Sequence, residues 1–355
     1  MGANGGTETV VETTSHLVSD ALGASVRPKA SQELRTPLME LPTMSKRLTA
    51  LDHLLIGYTA LLAVFISLNA STMRRPVELL VAHAVIIAFI YLLPARGAAW
   101  EFRTAREGRA RFVIRHALRF LRYMYPLGLV IFYFEEVSYF VNSLWTDAPY
   151  WFEPYLFSAD QRIFGGDPSV LLSPYVGMPQ DEIMHFFYFS YYLIVLGGGA
   201  FAYVGFPFTK RLAGPGFAMA ITSVTASFLF AFIWYPYLPA RGPWETPELM
   251  EGLTAFEGIV FVPWIETIIA QGAVSGACFP SGHVAGAFGM TFGLMRYYPR
   301  AGRISLFLAT GMAVACVYTR YHHSLDIVAG LACAGLGYAF ARYVTTQNME
   351  PPLRT

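Results

Sequence analysis

Eight stretches of this chain are apolar over lengths that fit a hydrocarbon layer, and that property constrains the fold more than any other. They fall near 51–70, 77–95, 122–145, 183–205, 214–238, 281–297, 303–319 and 324–343. A helix needs about 20 residues to cross roughly 30 Å of lipid. Inside a bilayer every backbone N–H and C=O must be paired within its own segment, so such runs fold as helices. The expected fold is all-α, a polytopic membrane protein with about eight transmembrane helices. Composition agrees: 55% of the 355 residues are hydrophobic and 14% charged, where a soluble domain carries about 25% charged residues.

Charge placement gives the chain a direction. Arg96, Arg103, Arg106, Arg109, Arg111, Arg115 and Arg119 crowd the segment between the second and third runs, which under the positive-inside rule faces the cytoplasm. Alternation then puts Lys46 and Arg47, Lys210 and Arg211, and Arg296, Arg300 and Arg303 on the same side; Arg74 and Arg75 dissent. Both termini are therefore expected in the cytoplasm, with segments 146–182, 239–280 and 318–323 outside. Compact loops and the lack of a retention signal suggest a bacterial inner membrane.

The first 50 residues, rich in Thr, Ser, Gly, Ala and Pro, read as a disordered tail. Residues 51–121 would hold two extra helices and a basic segment lying along the lipid surface, 122–346 a six-helix core, and 347–355 a second tail. The 25 basic residues balance 24 acidic ones, so no nucleic-acid partner is expected. Cys278, Cys316 and Cys333 show neither CxxC spacing nor a ligand cluster, so neither a metal nor a cofactor is expected.

Two segments carry chemistry, and both fall at expected outer helix ends. In CFPSGHVAGAF, residues 278–288, Pro280 and Ser281 stand where a loop becomes a helix, and Gly282 permits close backbone approach. A helix start offers unpaired N–H groups and a positive dipole end to a phosphate. His283, in that first turn, could give a proton to a leaving alkoxide; the plain alternative is a helix start with an incidental His. In YTRYHHSLDIVAG, residues 318–330, His322 and Asp326 are four apart and share a helix face. The carboxylate can fix one ring nitrogen while the other attacks phosphorus. His323 with Asp326 has a competing spacing of three, and Arg320 is close enough to bind a phosphate oxygen. The plain alternative is an interfacial belt with a helix-capping Asp.

Together these motifs resemble the type 2 phosphatidic acid phosphatase (PAP2) superfamily, whose second motif is PSGH and whose third contains HxxxD. The resemblance spans roughly residues 122–343. It implies a metal-free enzyme with His322 as the nucleophile that becomes a phosphohistidine, Asp326 as its orienting carboxylate and His283 as the general acid. The implied substrate is a lipid phosphate, held by Arg241, Arg320, Ser281 and Gly282. Departures stand beside it. The family's first motif has a Lys seven residues before an Arg, and Trp234 occupies that place before Arg241. An Arg usually six residues before the nucleophile is Cys316 here. The thinner cation set looks more like the inositol phosphorylceramide synthase branch, which passes a head group to a lipid acceptor instead of water. A catalytically inactive transporter or binding protein is the third reading.

Weaker candidates complete the set. Glu135 and Glu136, in the third run, could bind an acceptor hydroxyl or pair with an Arg, or Glu136 could simply face protein. His185, with Tyr188 and Tyr191, fits either the pocket or an aromatic belt. Ala285, Gly289 and Gly293, and Gly330 with Ala334, recur every four residues and would let helices pack closely, holding His283 near His322.

Overall fold

The computed structural model describes residues 48–101, 109–144, 151–204 and 214–347. Its long elements are helices: α1 (Ala50–Leu68), α2 (Pro76–Glu101), α3 (Arg109–Leu144), α4 (Glu153–Phe164), α5 (Pro168–Leu171), α6 (Gln180–Tyr192), α7 (Gly198–Val204), α8 (Gly214–Phe232), α9 (Pro247–Met250), α10 (Phe261–Gly272), α11 (Gly282–Tyr297), α12 (Pro299–Tyr318) and α13 (Ser324–Gln347). Among the described residues no strand forms; a single bridge pairs Ala240 with Ala277. The chain is an all-α polytopic membrane protein. Among the described residues five helical stretches are long and apolar enough to cross a bilayer: Ala50–Leu68, Gln180–Tyr203, Pro215–Phe232, Pro299–Tyr318 and Ser324–Thr345. The other three expected runs are also helical. Of these, α11 has 16 residues, which rise only about 24 Å.

Helix α8 is the centre. Its residues from Phe217 to Leu229 are buried on nearly every side apart from Ala218, as expected of a helix apolar all round. It packs most extensively on α11 and α13, which also touch each other, while α12 joins α11 to α6. Small residues set the spacing. A Cβ on Gly293 would come within 2.7 Å of the Ala220 backbone, so α11 lies directly against α8. A Cβ on Gly330 would come 2.7 Å from the Ser281 carbonyl and 2.9 Å from Val284. Gly289 also faces α8, where its carbonyl accepts the Ser223 hydroxyl at 2.7 Å. The repeat on α11 therefore serves α8, and it is Gly330 that brings α11 and α13 together.

The start of α1 is sharply specified. Thr49 accepts the Asp52 N–H at 3.2 Å while Asp52 accepts the Thr49 N–H at 2.8 Å, a reciprocal cap. Asp52 also takes Arg122 at 2.8 Å and the Tyr125 hydroxyl, tying α1 to α3. The Arg-rich stretch differs from expectation. The third helix does not begin near 122 but at Arg109, and runs 36 residues, so the later arginines lie on the same helix as the apolar run. Residues 1–47, 102–108, 145–150, 205–213 and 348–355 lie outside the described residues. With them go almost all of the N-terminal tail, nearly all of the C-terminal tail and several of the arginines and lysines used to orient the chain.

Candidate active site

The turn between α12 and α13 is built by backbone. The Cys316 carbonyl at the end of α12 receives both Tyr321 N–H (3.1 Å) and His322 N–H (3.0 Å). The chain turns through Arg320 in the left-handed region, φ 65°, which a non-glycine residue adopts only when its surroundings hold it there. The next residues open α13. Asp326 sits in that helix's first turn, and its Oδ2 accepts the His323 N–H at 2.8 Å. The same oxygen lies 3.2 Å from His322 Nδ1. Helix capping and histidine orientation were alternative readings of Asp326, and one oxygen serves both.

On the other ring nitrogen, His322 Nε2 lies 3.1 Å from the Ser281 hydroxyl. Ser281 is the N-cap of α11, where it accepts the Val284 N–H at 3.3 Å, and its own N–H donates to the Asp326 carbonyl at 3.0 Å. The two motifs are thus stitched by backbone as well as side chains. His283, two residues on, has its ring centroid 5.7 Å from that of His322. Its Nε2 lies 3.0 Å from the Tyr188 hydroxyl, and the Tyr191 ring packs at 4.6 Å.

These residues border a cavity of about 330 Å³, to which His322, His283, Gly282, Cys278, Tyr188, Tyr191, Tyr235, Tyr321 and Glu245 contribute beside apolar side chains. No Lys or Arg is among the described residues lining it. Both expected phosphate-binding arginines are committed elsewhere. Arg241 forms an ion pair with Glu153 at 2.5 Å and adds an Nε bond at 2.7 Å, with its guanidinium 4.8 Å over the Trp151 ring. Arg320 is buried, donates to the Thr254 carbonyl at 2.9 Å and lies 4.4 Å over Phe256. Trp234 is exposed and Cys316 is buried apolar core.

Of the weaker candidates, Glu136 is buried with its Oε1 3.2 Å from His83 Nε2 on α2, and Glu135 is exposed; neither reaches the cavity. His185 turns away, 2.7 Å from the Asp181 carbonyl, and packs on Phe256. Its helix neighbours Tyr188 and Tyr191 are the ones that face His283. His323, although adjacent to His322, points to the opposite side, 3.3 Å from Asp167 and 3.6 Å from Asp160. Burial disfavours charge on this imidazole, but the two carboxylates outweigh it and lift its pKa to about 10.

Cys278 went unread as a site residue. Its thiol donates to Asp326 Oδ2 at 2.9 Å and lies 3.3 Å from His322 Nδ1. Burial and the Asp326 carboxylate push that thiol well above its ordinary range, so it remains a donor. Its one sequence signal is position, three residues before Ser281. The Ala240–Ala277 bridge, with Cys278 N–H on the Ala240 carbonyl at 3.1 Å, fixes it there.

Comparison with known proteins now bears on this arrangement. Residues 256–350 match the PAP2 superfamily. This PAP2 match contains His283, His322 and Asp326, so the resemblance carried by PSGH and HxxxD is borne out over the segment that holds them. A PA-phosphatase related-family protein of Dictyostelium discoideum is 26% identical over 237 residues, covering 58% of this chain and 42% of the relative. The chain thus spans less than half the length of that relative. No solved structure matches significantly.

Proposed function

We propose that the chain cleaves a lipid phosphate or diphosphate ester through a phosphohistidine at His322, on the extracytoplasmic side of the membrane. The observation that carries this is the continuous line Asp326–His322–Ser281, with His283 facing the same cavity. Asp326 Oδ2 accepts the Nδ1 proton and leaves Nε2 with a free pair. On substrate entry the Ser281 hydroxyl yields its place at Nε2 to phosphorus. The N–P bond forms as the P–O bond to the lipid breaks, and His283 delivers its proton to the departing oxygen. Water then attacks phosphorus, the N–P bond breaks, and His283 accepts the proton. Developing negative charge lies against the first turn of α11, where helix N–H groups stand in for the cations that no described lining residue supplies.

That absence favours a second reading. A phosphomonoester dianion bound without Lys or Arg is costly, whereas a phosphodiester carries one charge. Glu245 borders the cavity and burial lifts its carboxyl, which suits hydrogen bonding to an alcohol. In this reading a hydroxyl-bearing lipid replaces water and the enzyme transfers a head group. Purified protein would be given phosphatidic acid, a polyprenyl diphosphate and phosphatidylinositol, each with and without ceramide or diacylglycerol, with His322→Ala as blank. Free phosphate without acceptor supports the phosphatase. A new phospholipid only with acceptor supports the transferase, and turnover unaltered in His322→Ala removes both.

A further inference from the structure

We propose that Asp160, Asp167 and His323 form a site for one divalent metal ion of tetrahedral preference, zinc fitting best an imidazole and two carboxylates. All three side chains are buried, with relative exposures of 0%, 4% and 1%. Their ligand atoms, Asp160 Oδ2, Asp167 Oδ2 and His323 Nδ1, converge within 4.8 Å of one another. Yet His323 Nδ1 meets the two carboxylates as ion-pair contacts without hydrogen-bond geometry, and His323 Nδ1, His323 Nε2 and Asp167 Oδ2 have no hydrogen-bond partner. Buried polar atoms in that condition call for an explanation.

The distances supply one. A charge-assisted N–H···O bond closes to about 2.7–2.9 Å, but Nδ1 stands 3.3 Å from Asp167 and 3.6 Å from Asp160. Donors held about 2.0–2.2 Å from a tetrahedral ion lie about 3.3–3.6 Å from each other. The carboxylates are also anchored as metal ligands are. Asp167 Oδ1 accepts the Ser169 N–H at 2.8 Å and hydroxyl at 2.6 Å, leaving Oδ2 for the site. Asp160 Oδ1 accepts the Ser324 hydroxyl, and its Oδ2 takes only a 3.3 Å contact from Ser324 N–H besides the site.

The neighbouring trio of Cys278, His322 and Asp326 makes the contrast. It too gathers three ligand types, but there Asp326 Oδ2 is joined to the thiol at 2.9 Å and to His322 Nδ1 at 3.2 Å by hydrogen bonds, with only Oδ1 unpartnered. There the site is closed by protons; around His323 it is not. An ion bound to Asp160, Asp167 and His323 would clip α4 and the start of α5 to the first residue before α13, one position beyond His322. It would position the nucleophile's turn without touching substrate. The competing arrangement is a protonated His323 between two carboxylates.

The test uses the full chain in detergent, tag removed, equilibrated with zinc, desalted and assayed by plasma mass spectrometry. About one zinc per chain is expected, falling at least fivefold in Asp167→Asn and in His323→Gln and unchanged in Cys278→Ser. Chelation should lower the thermal midpoint of the wild-type protein, and zinc should restore it. Folded wild-type protein holding less than about a tenth of an equivalent of any divalent metal would overturn the proposal and leave the protonated triad. Metal retained in Asp167→Asn but lost in Cys278→Ser would place it at the catalytic trio instead. If the variants do not fold, wild-type metal content and the reversible thermal shift decide alone.

Discussion

His322 and His323 are consecutive, buried and each paired with aspartate, yet they occupy unlike surroundings. His322 faces a cavity, with Asp326 four residues along on its own helix and Ser281 on its other nitrogen. His323 faces protein, and its carboxylates come from α4 and the loop before α5, more than 150 residues earlier in the chain. The difference teaches that a short spacing can identify a histidine–aspartate pair without naming its partner. Both spacings to Asp326 were open, and the helix start resolves them by giving Asp326 the ring of His322 and only the backbone of His323.

That contrast can be broken experimentally. The largest expected effect is from His322→Ala, which should lower kcat by at least 10³-fold and abolish phosphoenzyme trapping. His323→Gln should keep the phosphoenzyme; if it is lost there and kept in His322→Ala, the two roles are reversed. Asp326→Asn should cost about 10²–10⁴-fold in kcat by freeing the imidazole tautomer, measured on protein whose folding is checked separately. His283→Ala should cost about 10²–10⁴-fold with ordinary leaving groups and much less with an acidic one such as p-nitrophenolate. Smaller again, Cys278→Ala should reduce kcat about tenfold by removing one donor to Asp326, and Cys278→Ser should restore most of it. The smallest effect is expected from Arg241→Ala and Arg320→Ala, each raising KM by less than about tenfold, since neither lines the cavity. A hundredfold rise for Arg241→Ala would mean that Glu153 releases it to substrate.

The helices were legible because bilayer physics leaves few alternatives for long apolar runs, and each of the eight expected runs holds a helix, the fifth ending at Phe232 and not near 238. The boundaries were less so. Nothing in local hydropathy tells whether arginines from Arg109 onward extend an apolar helix or lie beside it. At the site, PSGH and the His322–Asp326 spacing were readable because their geometry is local to a helix turn. The pairing of Arg241 was not legible because it rests on Glu153, 88 residues earlier, and proximity to a motif says nothing about such a partner. Asp160, Asp167 and Cys278 escaped notice for the same reason: each acquires meaning only from residues brought up by the fold. Glu136 was read as a costly membrane carboxylate, correctly in kind, but its partner is His83 and not an Arg.

Gly330 touches no substrate, yet a side chain there would press on the Ser281 carbonyl and Val284. In the proposed mechanism His322 attacks from one helix start and His283 gives its proton from the other, so the clearance between them sets the working gap of that reaction. A single added methyl would press the two helix starts apart without removing any reactive side chain. Residue 330 thus acts as a gauge block: the chemistry of the pocket depends on an atom that is not there.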